Sequence, residues 1–171
     1  VKEGLDTAII TLLREGRSVT VKASGRSMHP FLRPGDLVAI RPFPSPDSGG
    51  VRAGDLILFE QGRGRWCLHR AIQTAREASS PVLAKGDSLL RPDPPVDQPR
   101  IAGKAFSIRR PEGRERSLGT AFSRPANALI ALLSRWEALC FNRLPSGVRR
   151  NNLFLRLIKA PKWFVSKMFY P

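Results

Sequence analysis

Three kinds of side chain in this sequence could together carry out nucleophilic hydrolysis: a turn serine, two histidines and a few carboxylates. Ser27 follows a strand-like stretch, lies two residues after Gly25 and precedes Met28-His29-Pro30. A serine on a sharp turn can project its hydroxyl from a sheet, and the glycine leaves room for an incoming backbone. The hydroxyl becomes a nucleophile only with a base in hydrogen-bond reach and a third group that orients the base. The bases available are His29, in the next turn, where neighbouring side chains diverge, and His69, in a run with Cys67, Leu68 and Arg70. Asp87 and Asp93 follow a later strand and could orient a histidine, but spacing alone does not single them out from the 11 carboxylates of residues 1–100. The plain alternatives are a turn serine and a structural strand histidine. Residue chemistry by itself reaches a serine hydrolase and no further.

The elements that must position these groups read mainly as strands. Leu5, Ala8, Ile9, Leu12 and Leu13 recur at helical spacing, with Gly16 as the stop. Ser18–Ala23 alternates like a half-buried strand, and Ser24 to Ser27 is turn chemistry. Asp36–Ile40, Asp55–Glu60, Arg65–Ile72, Pro81–Lys85 and Ile101–Ile108 are further strand-like runs. Pro42–Gly50 and Gly86–Pro99 read as loops, and no internal repeat stands out. Short strands with turns between them predict a mostly β fold, a folded sheet or partly open barrel, over residues 18–109. Residues 1–17 form a short N-terminal helix, 110–124 a linker, and 125–171 a helical extension. That extension has one stretch at Ala126–Cys140, with Leu129, Leu132, Leu133, Trp136 and Leu139 along one face. A second starts near Asn151 and is broken by Pro161.

A length of 171 residues with 42% apolar and 25% charged side chains is globular composition and excludes wholesale disorder. The net charge of +15 is lopsided: residues 101–171 hold 14 Lys/Arg against 3 Asp/Glu, which is +11. Cys67 and Cys140 match no metal-ligand spacing and read as two buried thiols rather than a disulfide scaffold. No metal or cofactor is expected. Lys2–Glu15 is too short and too charged for a spanning helix or a signal peptide.

The run Gly25-Arg26-Ser27-Met28-His29-Pro30-Phe31-Leu32, followed by Pro34-Gly35-Asp36-Leu37-Val38, resembles the nucleophile box of signal peptidase I. A similar box occurs in the LexA-type self-cleaving repressors of the same superfamily; the proline after Ser-Met-His favours the peptidase side. Gly54-Asp55-Leu56-Ile57-Leu58-Phe59, Leu68-His69-Arg70-Ala71-Ile72, Lys85-Gly86-Asp87-Ser88 with Asp93, and Ile101-Ala102-Gly103-Lys104 resemble the family's later boxes in order and rough spacing. The match covers about Val19 to Ile108. A histidine before the arginine of the third box is the mark of the endoplasmic-reticulum and archaeal type. The resemblance thus implies Ser27 as nucleophile, His69 as base, and Asp93 as orienting acid with Asp87 as the alternative. Lys85, Gly86 and Arg70 would be structural box residues, and Gly25, Ser24 and Met28 would lie on the substrate and oxyanion side.

The sequence departs from the family twice. Gly25 stands where signal peptidases often carry a serine as second oxyanion donor, with Ser24 as a substitute. The first 15 residues also lack the usual membrane helix before the box. The implied substrate is a leader or signal peptide, or another preprotein segment, held extended by β-addition. An inactive peptide-binding module and a LexA-type self-cleaving regulator are the alternatives; the second wants an upstream Ala-Gly or Cys-Gly bond, which does not occur.

In the extension, Arg149, Arg150, Arg156, Lys159, Lys162 and Lys167 intersperse with Leu153, Phe154, Leu155, Leu157, Ile158, Trp163, Phe164 and Phe169. This suits an interfacial helix on an anionic membrane surface, or a lid on the sheet. Nucleic acid is disfavoured because no binding motif accompanies the charge. A peripheral membrane-associated or cytoplasmic location is expected.

Overall fold

The computed structural model describes residues 3–44, 50–62, 64–74, 80–111, 113, 115–121, 123–144 and 152–169, with side chains described except at 3–6, 152–158, 166 and 169. Helix α1 (Glu3–Arg14) is followed by strands β1 (Val19–Lys22), β2 (Leu37–Pro42), β3 (Leu56–Gly62), β4 (Arg65–Gln73), β5 (Leu83–Lys85), β6 (Ile101–Arg109) and β7 (Glu115–Ser117). Helices α2 (Ser123–Arg143) and α3 (Asn152–Phe169) complete the chain. The strands form one antiparallel sheet in the order β1-β2-β6-β3-β4-β5, with β7 beside β6. This is the mostly β fold with flanking helices that the alternation predicts.

The loops are built from local rules. Gly16, at φ +82°, ends α1 where Arg17 N–H bonds Leu12 O, a left-handed C-terminal cap. Two turns share one design. In Arg33-Pro34-Gly35-Asp36 and Arg52-Ala53-Gly54-Asp55, the fourth N–H bonds the first carbonyl and the glycine has φ near +100°. In each, an Asp Oδ2 accepts from the arginine N–H, at 2.8 and 2.9 Å. These are type II turns, which require a positive φ at the third position. They launch β2 and β3, so a four-residue repeat does exist; it is too short to show as sequence periodicity.

Both faces of the sheet are packed. One carries Leu13, Phe31, Val38, Ile40, Leu56 and Ile130; the other carries Phe43, Ile57, Phe59, Ala71, Ala84 and Ile101. Ile130 and Ala126 of α2 belong to the first cluster and Val165 of α3 packs against it, so the helices share the core of the sheet rather than forming a separate module. The supposed linker contains β7, held in register Ser107↔Ser117, Ile108↔Arg116 and Arg109↔Glu115. Helix α3 runs through Pro161, against the expected break. Tertiary bonds on either side, from Lys159 and Lys162, hold the turn that the missing N–H would loosen. Arg149, Arg150 and the side chains of Leu153 to Ile158 and Phe169 lie outside the described residues. Among the described residues, no helix is long and apolar enough to cross a membrane.

Gly54 meets α2 closely: a Cβ there would lie 2.7 Å from the Asn127 carbonyl carbon, whereas at Gly35 the nearest such atom is 3.8 Å away. Both glycines have the same strained φ, so their difference isolates the close approach. Gly54→Ala should therefore cost on the order of 1–3 kcal/mol more than Gly35→Ala, the usual loss from overpacking, measured by urea unfolding; equal losses would refute tight seating of α2.

Candidate active site

Period-two alternation sends His69 and Arg70, neighbours on β4, to opposite sides of the strand. His69 pairs with Ile57 in the β3–β4 ladder and is 4% exposed, with its ring edge toward Phe59 at a centroid distance of 6.1 Å. On that side it meets both Ser27 and Asp93. Its Nδ1–H donates to Asp93 Oδ2 at 2.7 Å, and its Nε2 accepts from the Ser27 hydroxyl at 3.0 Å. The carboxylate can only accept, so it selects the tautomer with the proton on Nδ1 and leaves Nε2 as a base facing the hydroxyl.

Each member is fixed from outside. Asp93 N–H bonds Ala84 O at 2.9 Å, and the loop doubles back through the Val82–Val96 bridge. The second carboxylate oxygen accepts from Gln61 Nε2 at 2.9 Å. Gln61 has no counterpart in the sequence reading: a glutamine near the end of a strand carries no signal, and only the fold brings β3 beside the loop of Asp93. The Ser27 turn is held by Ser88, whose N–H and hydroxyl both donate to Ser27 O, at 2.8 and 3.0 Å. Gly86 lies directly beneath, where a Cβ would come within 2.8 Å of the same oxygen. Among the described residues no acceptor takes the Ser27 N–H.

Asp87, the alternative orienting acid, stands elsewhere. It grips Arg70 through Nε–H at 3.0 Å and an NH2 proton at 2.9 Å, both residues being almost completely buried. The Arg70 NH1 group donates to Gly54 O at 3.1 Å and Asn127 Oδ1 at 3.2 Å, and the guanidinium lies 4.3 Å from the Phe31 ring centroid. Asp87 therefore has no oxygen on His69. Met28 is 4% exposed and joins the core beneath the turn, while Ser24 and Gly25 are exposed. His29 is exposed and outside the cluster. Cys67 and Cys140 are unpaired and half-buried rather than buried. The Cys67 Sγ lies 3.4 Å from Gln61 Oε1, and burial first, then Asp93, pushes its thiol pKa up and away from reactivity.

Beside the Ser27 turn lies a second buried ionic group. Glu137 Oε2 accepts from Lys85 and from Lys162, each at 2.6 Å. Lys162 also donates to Asp87 O, and Lys159 donates to Ser88 O at 2.7 Å. Burial pulls the Lys85 pKa down to about 8, Lys162 adds to the fall, and Glu137 and Asp87 oppose it. Lys85 is thus tied to α2 through Glu137, and Lys162 ties α3 to the same carboxylate.

A groove of about 780 Å³ runs past Ser27 and His69, lined by Ile9, Val21, Leu58, Trp66 and Leu68 among others. Comparison with protein-family models, with curated proteins and with solved structures returned no match.

Two outcomes are expected. Asp87→Ala strands a buried guanidinium and should cost about 3–5 kcal/mol in urea unfolding; a loss below about 1 kcal/mol would show that Arg70 does not need its partner. Lys85 has a folded pKa of about 8 against an ordinary 10.5, so between these values the unfolded chain binds the proton that the folded chain has released. Its stabilising contribution is present above 10.5 and is lost as pH falls to about 8. Wild type should thus gain stability relative to Lys85→Met as pH rises through this window. Parallel pH profiles would contradict the assignment.

Proposed function

We propose that this protein is a serine endopeptidase that cuts leader or signal peptides, similar to the Ser-His type of signal peptidase I. The observation that carries the reading is the hydrogen-bonded chain from Ser27 through His69 to Asp93. As the Ser27 hydroxyl attacks a peptide carbonyl, His69 Nε2 takes its proton, and Asp93 stabilises the imidazolium that results. The Ser27 N–H is a donor for the tetrahedral oxyanion. His69 then returns the proton to the leaving amine. A water molecule, activated by the same nitrogen, hydrolyses the acyl-serine and frees the enzyme.

The shape of the groove supports an extended substrate. Strand β1 is an edge of the sheet, and Thr20, Val21, Lys22 and Ala23 line the groove beside Ser24 and Gly25. An edge strand offers unpaired backbone groups to an added strand, with pockets for alternate side chains. The apolar lining suits a segment with apolar residues before the cut. One observation favours a second reading, a peptide-binding module without turnover: Gly25 supplies no side-chain donor, and one such donor is worth about 10²–10³ in rate.

The test is mass spectrometry of extended leader peptides incubated with wild type, Ser27→Ala and Asp93→Asn. Cleavage should occur with wild type, vanish in Ser27→Ala and fall about 10⁴-fold in Asp93→Asn. Binding without cleavage by wild type would establish the module instead, and cleavage undiminished in Ser27→Ala would exclude Ser27 as nucleophile.

A further inference from the structure

Helix α2 carries most of its larger apolar side chains on the outside; Ile130 and Phe141 are the buried exceptions. Its buried face is otherwise rich in small residues, Ala126, Ala131, Ser134 and Ala138 among them, and at Asn127 and Ala128 the helix backbone comes right up to the Gly54 turn. Leu129, Leu132, Trp136 and Leu139, spaced three, four and three residues apart, form a stripe on the opposite face and are 40–62% exposed. On α3, Trp163, Phe164 and Met168 are 47–68% exposed. Single exposed leucines are unremarkable, but stripes of large apolar residues on two adjoining helices mark an interaction site. The sequence puts Leu133 on the same stripe; it is half-buried.

Charge identifies the occupant. From Gly119 onward the chain has nine Lys/Arg and one carboxylate, Glu137. That carboxylate is buried between Lys85 and Lys162, so the described outer surface of α2 and α3 carries Arg124, Arg135, Arg143 and Lys167 and no negative side chain. Lys167 Nζ lies 4.9 Å from the Trp163 ring centroid, which sets a cation beside an exposed indole. A second copy would bring two surfaces of the same sign together. Duplex nucleic acid would use the cations but leave the leucines and tryptophans in water. A bilayer with anionic headgroups satisfies both, because its acyl boundary takes the apolar stripe and its phosphates take the arginines and lysines.

We propose that the outer face of α2 and α3 lies on an anionic lipid bilayer and attaches the protein peripherally. The inner side of α3 bonds the carbonyls of Asp87 and Ser88, next to the Ser27 turn. Docking therefore holds the groove within roughly two helix diameters, about 20 Å, of the headgroups. The attachment itself stands whether or not Ser27 is catalytic.

The experiment is flotation of the full chain with vesicles of phosphatidylcholine alone and of phosphatidylcholine mixed with phosphatidylglycerol, at low and high salt. The protein should float with the anionic vesicles at low salt, with blue-shifted tryptophan emission, and stay behind with the neutral ones. Arg135→Gln should lower partitioning about fivefold, and Leu132→Asp with Trp136→Asp at least about tenfold. Circular dichroism checks that these surface variants fold, and Phe164→Asp on the other helix repeats the test independently. No flotation with anionic vesicles would overturn the proposal, as would undiminished flotation of both apolar variants. A lipid-free dimer dissolved by Leu132→Asp would make the face a self-interface. DNA binding tighter than vesicle binding and indifferent to the apolar variants would make the cations a nucleic-acid site.

Discussion

The buried ion pair of Arg70 and Asp87 is the constraint around which the rest is arranged. A guanidinium with no exposure is tolerated only when its protons find acceptors, because the desolvation of each ion costs several kcal/mol. Arg70 meets that demand from three elements other than its own strand β4: the loop at Asp87, the turn at Gly54 and helix α2 through Asn127. Each acceptor has a consequence. Gly54 O must approach, so the turn needs a glycine that lets α2 come close. Asp87 must stay, so Ser88 is held where its N–H and hydroxyl fix the carbonyl of Ser27. The position of the serine thus follows from satisfying a charge on the other face of the strand.

A second charge cluster extends this logic to the C-terminal helices. Glu137 of α2 gathers Lys85 of β5 and Lys162 of α3 on one carboxylate oxygen, and its other oxygen is buried without a partner among the described residues. Two lysines against one glutamate leave the cluster short of negative charge, which is why burial and Lys162 together depress Lys85. The carbonyls of Asp87 and Ser88 add partial negative charge where it is needed, and in accepting from Lys162 and Lys159 they bind α3 to the serine loop. The extension is therefore part of the site's scaffold on its inner side, while its outer side remains apolar and positive.

Much of this was legible in the sequence. Alternation at Val19–Lys22 and in the later runs located the strands, and Gly16 ended the first helix as its conformation requires. Residue chemistry offered Ser27, His29 or His69, and Asp87 or Asp93, and only the resemblance chose Asp93 for His69, because a 24-residue gap between them says nothing until the loop after β5 is known to fold back. Strand parity was available, since it puts His69 and Arg70 on opposite faces and so allows each its own acid. It could not say which acid went where. Gln61 was invisible for the same reason as the Glu137 cluster: both act across strands or helices far apart in sequence. The helical periodicity of α2 was correct, yet it could not tell which face was buried: Leu129, Leu132, Trp136 and Leu139 point outward, while Ile130 and Phe141 are buried beside small residues that let the backbone approach the Gly54 turn.

The proposed peptidase depends on Ser27 as nucleophile and His69 as its base. It is tested most sharply by native mass spectrometry of the protein with a peptide boronate ending in a small residue, whose boron forms a tetrahedral adduct with an activated serine hydroxyl. A single saturable adduct mapped to Ser27 is expected, lost in Ser27→Ala and weakened in Asp93→Asn. No adduct with folded wild type, or an adduct mapped to Ser24 or Ser88, would contradict it.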